Sequence, residues 1–195
     1  MSTVYRLDAG GFTADQNAAV RLAARDIVAA WKMWNRLIPA QFALGSAFHE
    51  TGYAVNERDV ADQSDGTDSD GLFQISRQEA VDAGMGQADL FNLTGAVTVF
   101  RVLMEEKYYK ILRAAKLNIG AMVPPDVWAY LSMAHNQGIG AVIETINKHG
   151  LHWDAYRQRN QGIKRPGFDG AAICRYGDDC IFGGPDWRPE FATTA

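Results

Sequence analysis

Apolar residues recur at three- and four-residue intervals through much of the chain, and this spacing predicts helices. The first apolar stripe runs from Val20 to Leu37 and marks one face of a long helix. Trp31 and Trp34 lie on this stripe, so we expect them in the core rather than along a surface groove. Pro39 ends the stripe and suits the first turn of a second helix.

The second helix is predicted to be largely buried, because Phe42, Leu44 and Phe48 follow one another closely. Gly52 is a natural end point, since glycine readily adopts the left-handed conformation that closes many helices. Glu50 therefore falls in the last turn of an apolar helix. Glutamates at helix ends are usually exposed surface residues, so this position alone does not assign a function.

A loop and a short extended segment are predicted next. Residues 54–70 have loop composition, with five aspartates among Ser, Gly and Thr. The sequence GLFQIS at 71–76 has the pattern of a short β element. Ser76 and Glu79 have capping-box spacing, which predicts a helix that begins there and ends near Gly84.

The rest of the chain divides into a helical part and an irregular part. Further helices are predicted over about residues 94–117, from Pro124-Pro125-Asp126 to a break at AHNQGIG (134–140), from there to Gly150, and from Trp153 to Arg159. Residues 161–195 are rich in Gly, Pro and Asp without periodicity, which predicts an irregular tail packed on the rest. The expected fold class is mainly α, with a small β element beside the Asp-rich loop.

Length and charge limit the organisation and the partners. A chain of 195 residues favours one domain spanning residues 1–195, with its core over about 13–160. The net charge of −4 argues against nucleic acid as a partner, and no apolar run is long enough for membrane insertion. Cys174 and Cys180 fit a small disulfide loop or two thiols equally well.

Two kinds of chemistry can be considered for Glu50. His49 and Glu50 begin like the zinc motif H-E-x-x-H, but Tyr53 occupies the place of the second histidine, which excludes a metalloprotease of that type. A carboxylic acid can instead act as a proton donor near neutral pH when apolar surroundings favour its neutral form. Leu44, Phe48 and Tyr53 are the neighbours expected to provide such surroundings.

Four motifs occur in one order along the chain: HETGY, GLFQIS, NLTGAVTVF and AHNQGIG. Together they resemble the goose-type lysozyme and soluble lytic transglycosylase group of the lysozyme superfamily. That group shows E-S-x-[FY] at a helix end, G-L-M-Q-[IV] after a loop, N-[IL] at a helix start, and A-Y-N-x-G. The resemblance covers about residues 40–145. It implies an α+β lysozyme-like catalytic domain that needs no cofactor or metal.

The resemblance also implies an activity and a set of site residues. The substrate is peptidoglycan, cleaved at the β-1,4 bond between N-acetylmuramic acid and N-acetylglucosamine, and the enzyme is expected to be a monomer. Glu50 matches the general acid, and Gln74 matches a glutamine of the substrate groove. Asn136, Gly138 and Tyr53 match further residues beside the glutamate.

The chain departs from the family pattern at three positions. His135 replaces the usual tyrosine, which is thought to orient the substrate or the glutamate. A histidine can also form hydrogen bonds there, but it adds a group that titrates near pH 6.5. Phe73 stands in place of methionine, and Ala96 in place of glycine. We expect these two changes to affect packing only.

The second half of the reaction depends on the Asp-rich loop. A hydrolase positions water with a second carboxylate, whereas a lytic transglycosylase uses the 6-hydroxyl of muramic acid. Asp65 lies six residues before Gly71, an offset that matches the water-positioning aspartate of goose-type lysozymes. The further aspartate of those enzymes is Ser76 here. Asp70 is a weaker candidate for the second carboxylate.

Other interpretations remain open at this point. The chain could bind sugar without cleaving it, as a structural part of a virion, or it could act on chitin-like polymers. Tyr176, Trp187 and Arg188 could line the sugar groove or simply fasten the tail to the domain. No Sec signal is visible, so we expect the protein to reach the cell wall through host lysis, in a virion, or by a dedicated export route, as a phage lysin or a secreted toxin would.

Overall fold

The computed structural model describes residues 14–34, 37–53, 69–119 and 122–182. The helices are α1 (Ala14–Trp34), α2 (Ala40–Thr51), α3 (Arg77–Asp82), α4 (Leu93–Ala114), α5 (Asp126–Asn136), α6 (Ile139–His149), α7 (Trp153–Asn160) and α8 (Gly170–Phe182), with a 3-10 helix over Gln87–Phe91. Two antiparallel pairs of strands accompany them, β1 (Ser69–Asp70) with β2 (Ile75–Ser76) and β3 (Lys164–Arg165) with β4 (Phe168–Asp169). The predicted class, mainly α with a small β element, is confirmed. Within the described residues, no helix is both long and apolar enough to cross a bilayer.

Local sequence signals set several helix ends as predicted. The Ser76 hydroxyl accepts a hydrogen bond from the backbone N–H of Glu79, and the Glu79 carboxylate accepts one from the backbone N–H of Ser76, which completes the capping box of α3. Asn92 caps α4 by accepting a hydrogen bond from the Gly95 N–H at 2.7 Å. Gly52 ends α2 with a φ of 57°.

The core forms around aromatic rings from separate parts of the chain. Phe100 on α4 stacks on Phe73 with a centroid distance of 4.0 Å and on Phe42 of α2 at 5.7 Å. Trp31 of α1 packs against the same ring at 6.0 Å and is fully buried, as expected. The side chain of Trp34 lies outside the described part of the chain. The hairpin that carries Phe73 is therefore anchored to the helical core beside the end of α2.

The prediction of an irregular tail is wrong for residues 164–182. These residues form the β3–β4 hairpin and α8, and α8 packs against both α2 and α5. The approach is close because its contacts use glycine: a Cβ on Gly45 would lie 2.1 Å from the Asp179 carbonyl oxygen, and one on Gly177 would lie 1.9 Å from the Trp153 ring. Residues 183–195, and with them Trp187 and Arg188, lie outside the described residues.

The two cysteines lie on the same helix as free, buried thiols. Cys180 lies six positions after Cys174 in the helix, a rise of roughly 9 Å at 1.5 Å per residue. A disulfide requires a Cα separation below about 7 Å, so α8 would have to unwind before the two could join.

Candidate functional site

Glu50 lies in the last turn of α2, and its side chain is 16% exposed. The chain turns sharply after it, because Gly52 and Tyr53 both adopt positive φ values of 57° and 73°. The Tyr53 hydroxyl donates back to the Leu44 carbonyl at 3.1 Å, and Thr51 donates to the Leu72 carbonyl at 3.0 Å. These hydrogen bonds fix the end of α2 against an earlier part of the same helix and against the GLFQIS segment.

The first four residues of GLFQIS (71–74) form the tight turn that joins β1 to β2. Gly71 has a φ of 74°, and a Cβ there would lie 2.0 Å from the Leu90 carbonyl oxygen, so the position requires glycine. Gln74 also has a positive φ, 48°, and its side-chain amide donates to the Gly71 carbonyl at 2.9 Å. The partly buried Gln74 side chain is therefore held against its own turn.

His135 joins this turn to the glutamate. It lies in the last turn of α5, its side chain is 5% exposed, and its Nε2 is 2.9 Å from the carbonyl oxygen of Phe73. The same nitrogen lies 3.6 Å from Oε1 of Glu50. The imidazole and the ring of Phe100 make a T-shaped contact with a centroid distance of 5.2 Å. Nε2 of His135, in AHNQG, therefore lies close both to Phe73 of GLFQIS and to Glu50 of HETGY.

The surroundings of His135 favour its neutral form. Burial lowers the pKa of its imidazole, and the charge of Lys107 acts in the same direction, while Glu50, the Phe73 carbonyl and Glu79 act against them. In the neutral ring, the proton that meets the Phe73 carbonyl belongs to Nε2, which leaves Nδ1 as an acceptor. Nδ1 is buried and has no hydrogen-bond partner among the described residues.

Helix α8 closes the other side of Glu50. Tyr176 is 1% exposed, and its ring stacks on His49 with a centroid distance of 4.1 Å. Burial and the nearby Glu50 raise its pKa well above 10, so the phenol stays neutral. Its buried hydroxyl makes no hydrogen bond of normal geometry to a described residue. Tyr176 is thus an interior neighbour of Glu50 and not an open wall on which a sugar could stack.

Two further contacts connect α2 to α8, and the sequence did not reveal them. His49 Nδ1 lies 3.6 Å from the carboxylate of Asp179. Ser46 and the Cys180 thiol are 3.3 Å apart, and burial raises the pKa of that thiol, which keeps it uncharged. A stripe of small and polar residues on α8 was the available signal, but such residues do not stand out in an apolar pattern.

The remaining predicted residues that the structure describes lie at the end of α5, in the turn after it, and in β1. Asn136 is exposed, and its side-chain oxygen accepts a hydrogen bond from Gln137 at 2.6 Å. Gly138 joins α5 to α6 with a φ of 82° and open space around its Cα. Asp70 is 5% exposed, and its carboxylate accepts a hydrogen bond from the side-chain amide of Gln87. Asp65 lies outside the described residues.

Comparisons of the chain with protein-family models, curated proteins and solved structures find no match. Within the part of the chain that the structure describes, no three His, Cys, Asp or Glu side chains cluster closely enough to hold a metal ion. Any function is therefore inferred from the residues themselves and from their geometry.

Proposed function

We propose that this protein cleaves the β-1,4 bond between N-acetylmuramic acid and N-acetylglucosamine in peptidoglycan, with Glu50 as the general acid. The observation that carries the proposal is the position of His135. Its Nε2 contacts the Phe73 carbonyl at 2.9 Å and lies 3.6 Å from Glu50. Three motifs that are far apart in the sequence thus converge on a single partly exposed carboxyl group.

The Glu50 side chain is partly buried between two uncharged neighbours. Its side chain is largely withdrawn from water, and its neighbours His135 and Tyr176 are uncharged at neutral pH because burial opposes their ionisation. A positioned acid of this kind contributes about 10²- to 10⁴-fold to the rate of bond cleavage.

Proton transfer to the glycosidic oxygen leaves a positively charged sugar centre that a nucleophile must capture. Water held by Asp65 would give a reducing end, whereas the 6-hydroxyl of the same muramic acid would give a 1,6-anhydro end. The Asp70 carboxylate is buried and already accepts a hydrogen bond from Gln87, which favours Asp65 as the water-positioning residue. The two products differ in mass by one water.

Digestion of purified sacculi, followed by mass spectrometry of the soluble fragments, tests the proposal. We expect muropeptides that end in muramic acid, in either the reducing or the anhydro form. Chitin oligomers serve as the matched substrate, since they lack the lactyl group and the peptides. Binding to sacculi without any soluble fragment, at acidic and at neutral pH, would favour a non-catalytic sugar-binding protein instead, and cleavage of chitin alone would favour a chitinase-like enzyme.

A further inference from the structure

A concave site separate from Glu50 lies beside the AHNQG turn. It is a pocket of about 330 Å³ between the end of α5, helices α6 and α7, and the β3–β4 hairpin. Its most buried lining residues are Met133 and Tyr156, each 4% exposed. Charged side chains from α6 and β3 complete the lining. The pocket therefore combines an apolar part with a charged rim.

The rim of the pocket carries positively charged side chains. Lys148 of α6 and Arg165 of β3 both line the pocket, and neither forms an ion pair with a described residue. Arg159 adds positive charge nearby and contacts His149 at 3.2 Å. Desolvation, Arg159 and Lys148 together lower the pKa of His149, so its ring is neutral at pH 7. Arg165 packs on the ring of Phe168 at 5.1 Å, which holds its guanidinium at the pocket. Two cations that line one cavity are suited to bind carboxylates.

One side chain of opposite charge lines the same pocket. Glu144 lies one helical turn before Lys148 on α6, yet the two do not form an ion pair. Glu144 is therefore free to bind an ammonium group while Lys148 and Arg165 bind carboxylates. A ligand with both kinds of charge and some apolar surface fits this lining better than a neutral sugar or a polyanion does.

The pocket is joined to the candidate active site through Gln137. This residue lines the pocket, and its side-chain amide donates to Asn136 at 2.6 Å. Asn136 belongs to the predicted substrate-binding set, one residue after His135. A polymer lying along Asn136 would therefore bring its side branches to the mouth of the pocket.

We propose that this pocket binds a short zwitterionic peptide, with its carboxylates on Lys148 and Arg165 and its amine on Glu144. The chemistry of the lining residues stands without any assumption about catalysis. The biological source of the peptide rests on the proposed function: murein strands carry peptide stems with carboxylates and, at the diamino acid, an amine. The pocket is then a subsite for the stem, separate from the sugar-cleaving groups around Glu50.

An NMR titration of the whole chain with N-acetyl-L-alanyl-γ-D-glutamyl-L-lysine tests the pocket directly. We expect shifts at residues of the pocket lining, and no shifts with the same peptide carrying amides in place of its carboxylates. Lys148→Gln or Arg165→Gln should weaken binding at least about fivefold, because each removes a charged hydrogen-bond donor. Glu144→Gln should weaken binding of the peptide with a free lysine amine, but not binding of its Nε-acetyl-lysine form.

Lys164→Gln is the matched control, because Lys164 precedes Arg165 on the same strand but pairs with Asp169 and does not line the pocket. It should leave peptide affinity unchanged. The absence of shifts in the wild-type titration would overturn the proposal. Equal losses in Lys164→Gln and Arg165→Gln would also overturn it, because they would indicate attraction by overall charge.

Steady-state kinetics on glycan strands with and without peptides test whether the bound peptide is the murein stem. If the stem is the ligand, Arg165→Gln raises KM for peptide-bearing glycan strands and leaves KM for strands stripped of their peptides unchanged. An equal change on both substrates would contradict the assignment to the stem. Should neither substrate be cleaved by the wild type, the proposed function fails, while the titration still decides whether the pocket binds the peptide.

Discussion

Nε2 of His135 lies 3.6 Å from Oε1 of Glu50, at the point where α5 meets the end of α2. The imidazole is fixed in this place by its 2.9 Å contact with the Phe73 carbonyl and by a T-shaped contact with the Phe100 ring. The glutamate thus has a rigid, uncharged neighbour. A group fixed in this way limits the orientations that the carboxyl can adopt, which favours a proton transfer in one direction.

The lowered pKa of His135 predicts a loss of stability in mild acid. Its folded pKa lies below its unfolded value of about 6.5, so only the unfolded chain binds the extra proton as the pH first falls below that value. Stability is therefore retained above pH 6.5 and lost from there towards the folded pKa, by at most about 1.4 kcal/mol per pH unit for one proton. Thermal unfolding at several pH values measures the effect.

His135→Gln is the variant that isolates this contribution. Glutamine removes the titrating ring but keeps a side-chain donor for the Phe73 carbonyl. The unfolding temperature of the variant should fall less than that of the wild type between neutral and mildly acidic pH. Parallel pH profiles for the two proteins would show that His135 is not held neutral by the fold.

The close packing of α8 on α2 predicts a large effect of one added methyl group. A Cβ on Gly45 would lie 2.1 Å from the Asp179 carbonyl oxygen, so Gly45→Ala should destabilise the protein by about 1–3 kcal/mol or more. Gly140→Ala in α6 is the control, because its Cβ would meet no atom within 4 Å and alanine favours helix by up to about 1 kcal/mol. Chemical denaturation compares the two. Equal free energies of unfolding for Gly45→Ala and Gly140→Ala would argue against the described position of α8.

The burial of Asp70 predicts a structural role for this carboxylate. Asp70→Asn should lower stability by about 1–3 kcal/mol, because it weakens a buried hydrogen bond with Gln87. Once the protein is folded, its rate of sugar cleavage should stay within a few-fold of wild type. The free energy of unfolding and the turnover on sacculi, both measured for Asp70→Asn, distinguish a structural role from a catalytic one. A large loss of turnover without loss of stability would make Asp70 the second catalytic carboxylate.

Much of the secondary structure could be predicted because its signals are local. Ser76 and Glu79 are three residues apart, and the capping box that they form depends on little else. Gly52 ends α2 because glycine accepts a positive φ, and the AHNQG turn ends α5 for a similar reason at Gly138. The apolar stripe through Trp31 was long enough to assign that ring to the core.

Helix α8 and its part in the site could not be predicted in the same way. Its buried residues include Ile173, Cys174, Tyr176, Gly177 and Cys180, and only two of these five have large side chains. Helices that approach closely use small residues, so the pattern that normally marks a buried face is weak there. The contact between Tyr176 and His49 joins distant parts of the chain, and no local rule predicts it.

Turnover of Glu50→Gln on purified sacculi tests the central claim most directly. The amide keeps the size of the side chain but cannot donate the acid's proton, so the release of muropeptides should fall by about 10²- to 10⁴-fold while the unfolding temperature stays close to that of the wild type. Glu106→Gln, at an exposed glutamate paired with Lys110 on α4, is the matched control and should retain full turnover. A folded Glu50→Gln variant that releases muropeptides at the wild-type rate would contradict the assignment of Glu50 as the general acid.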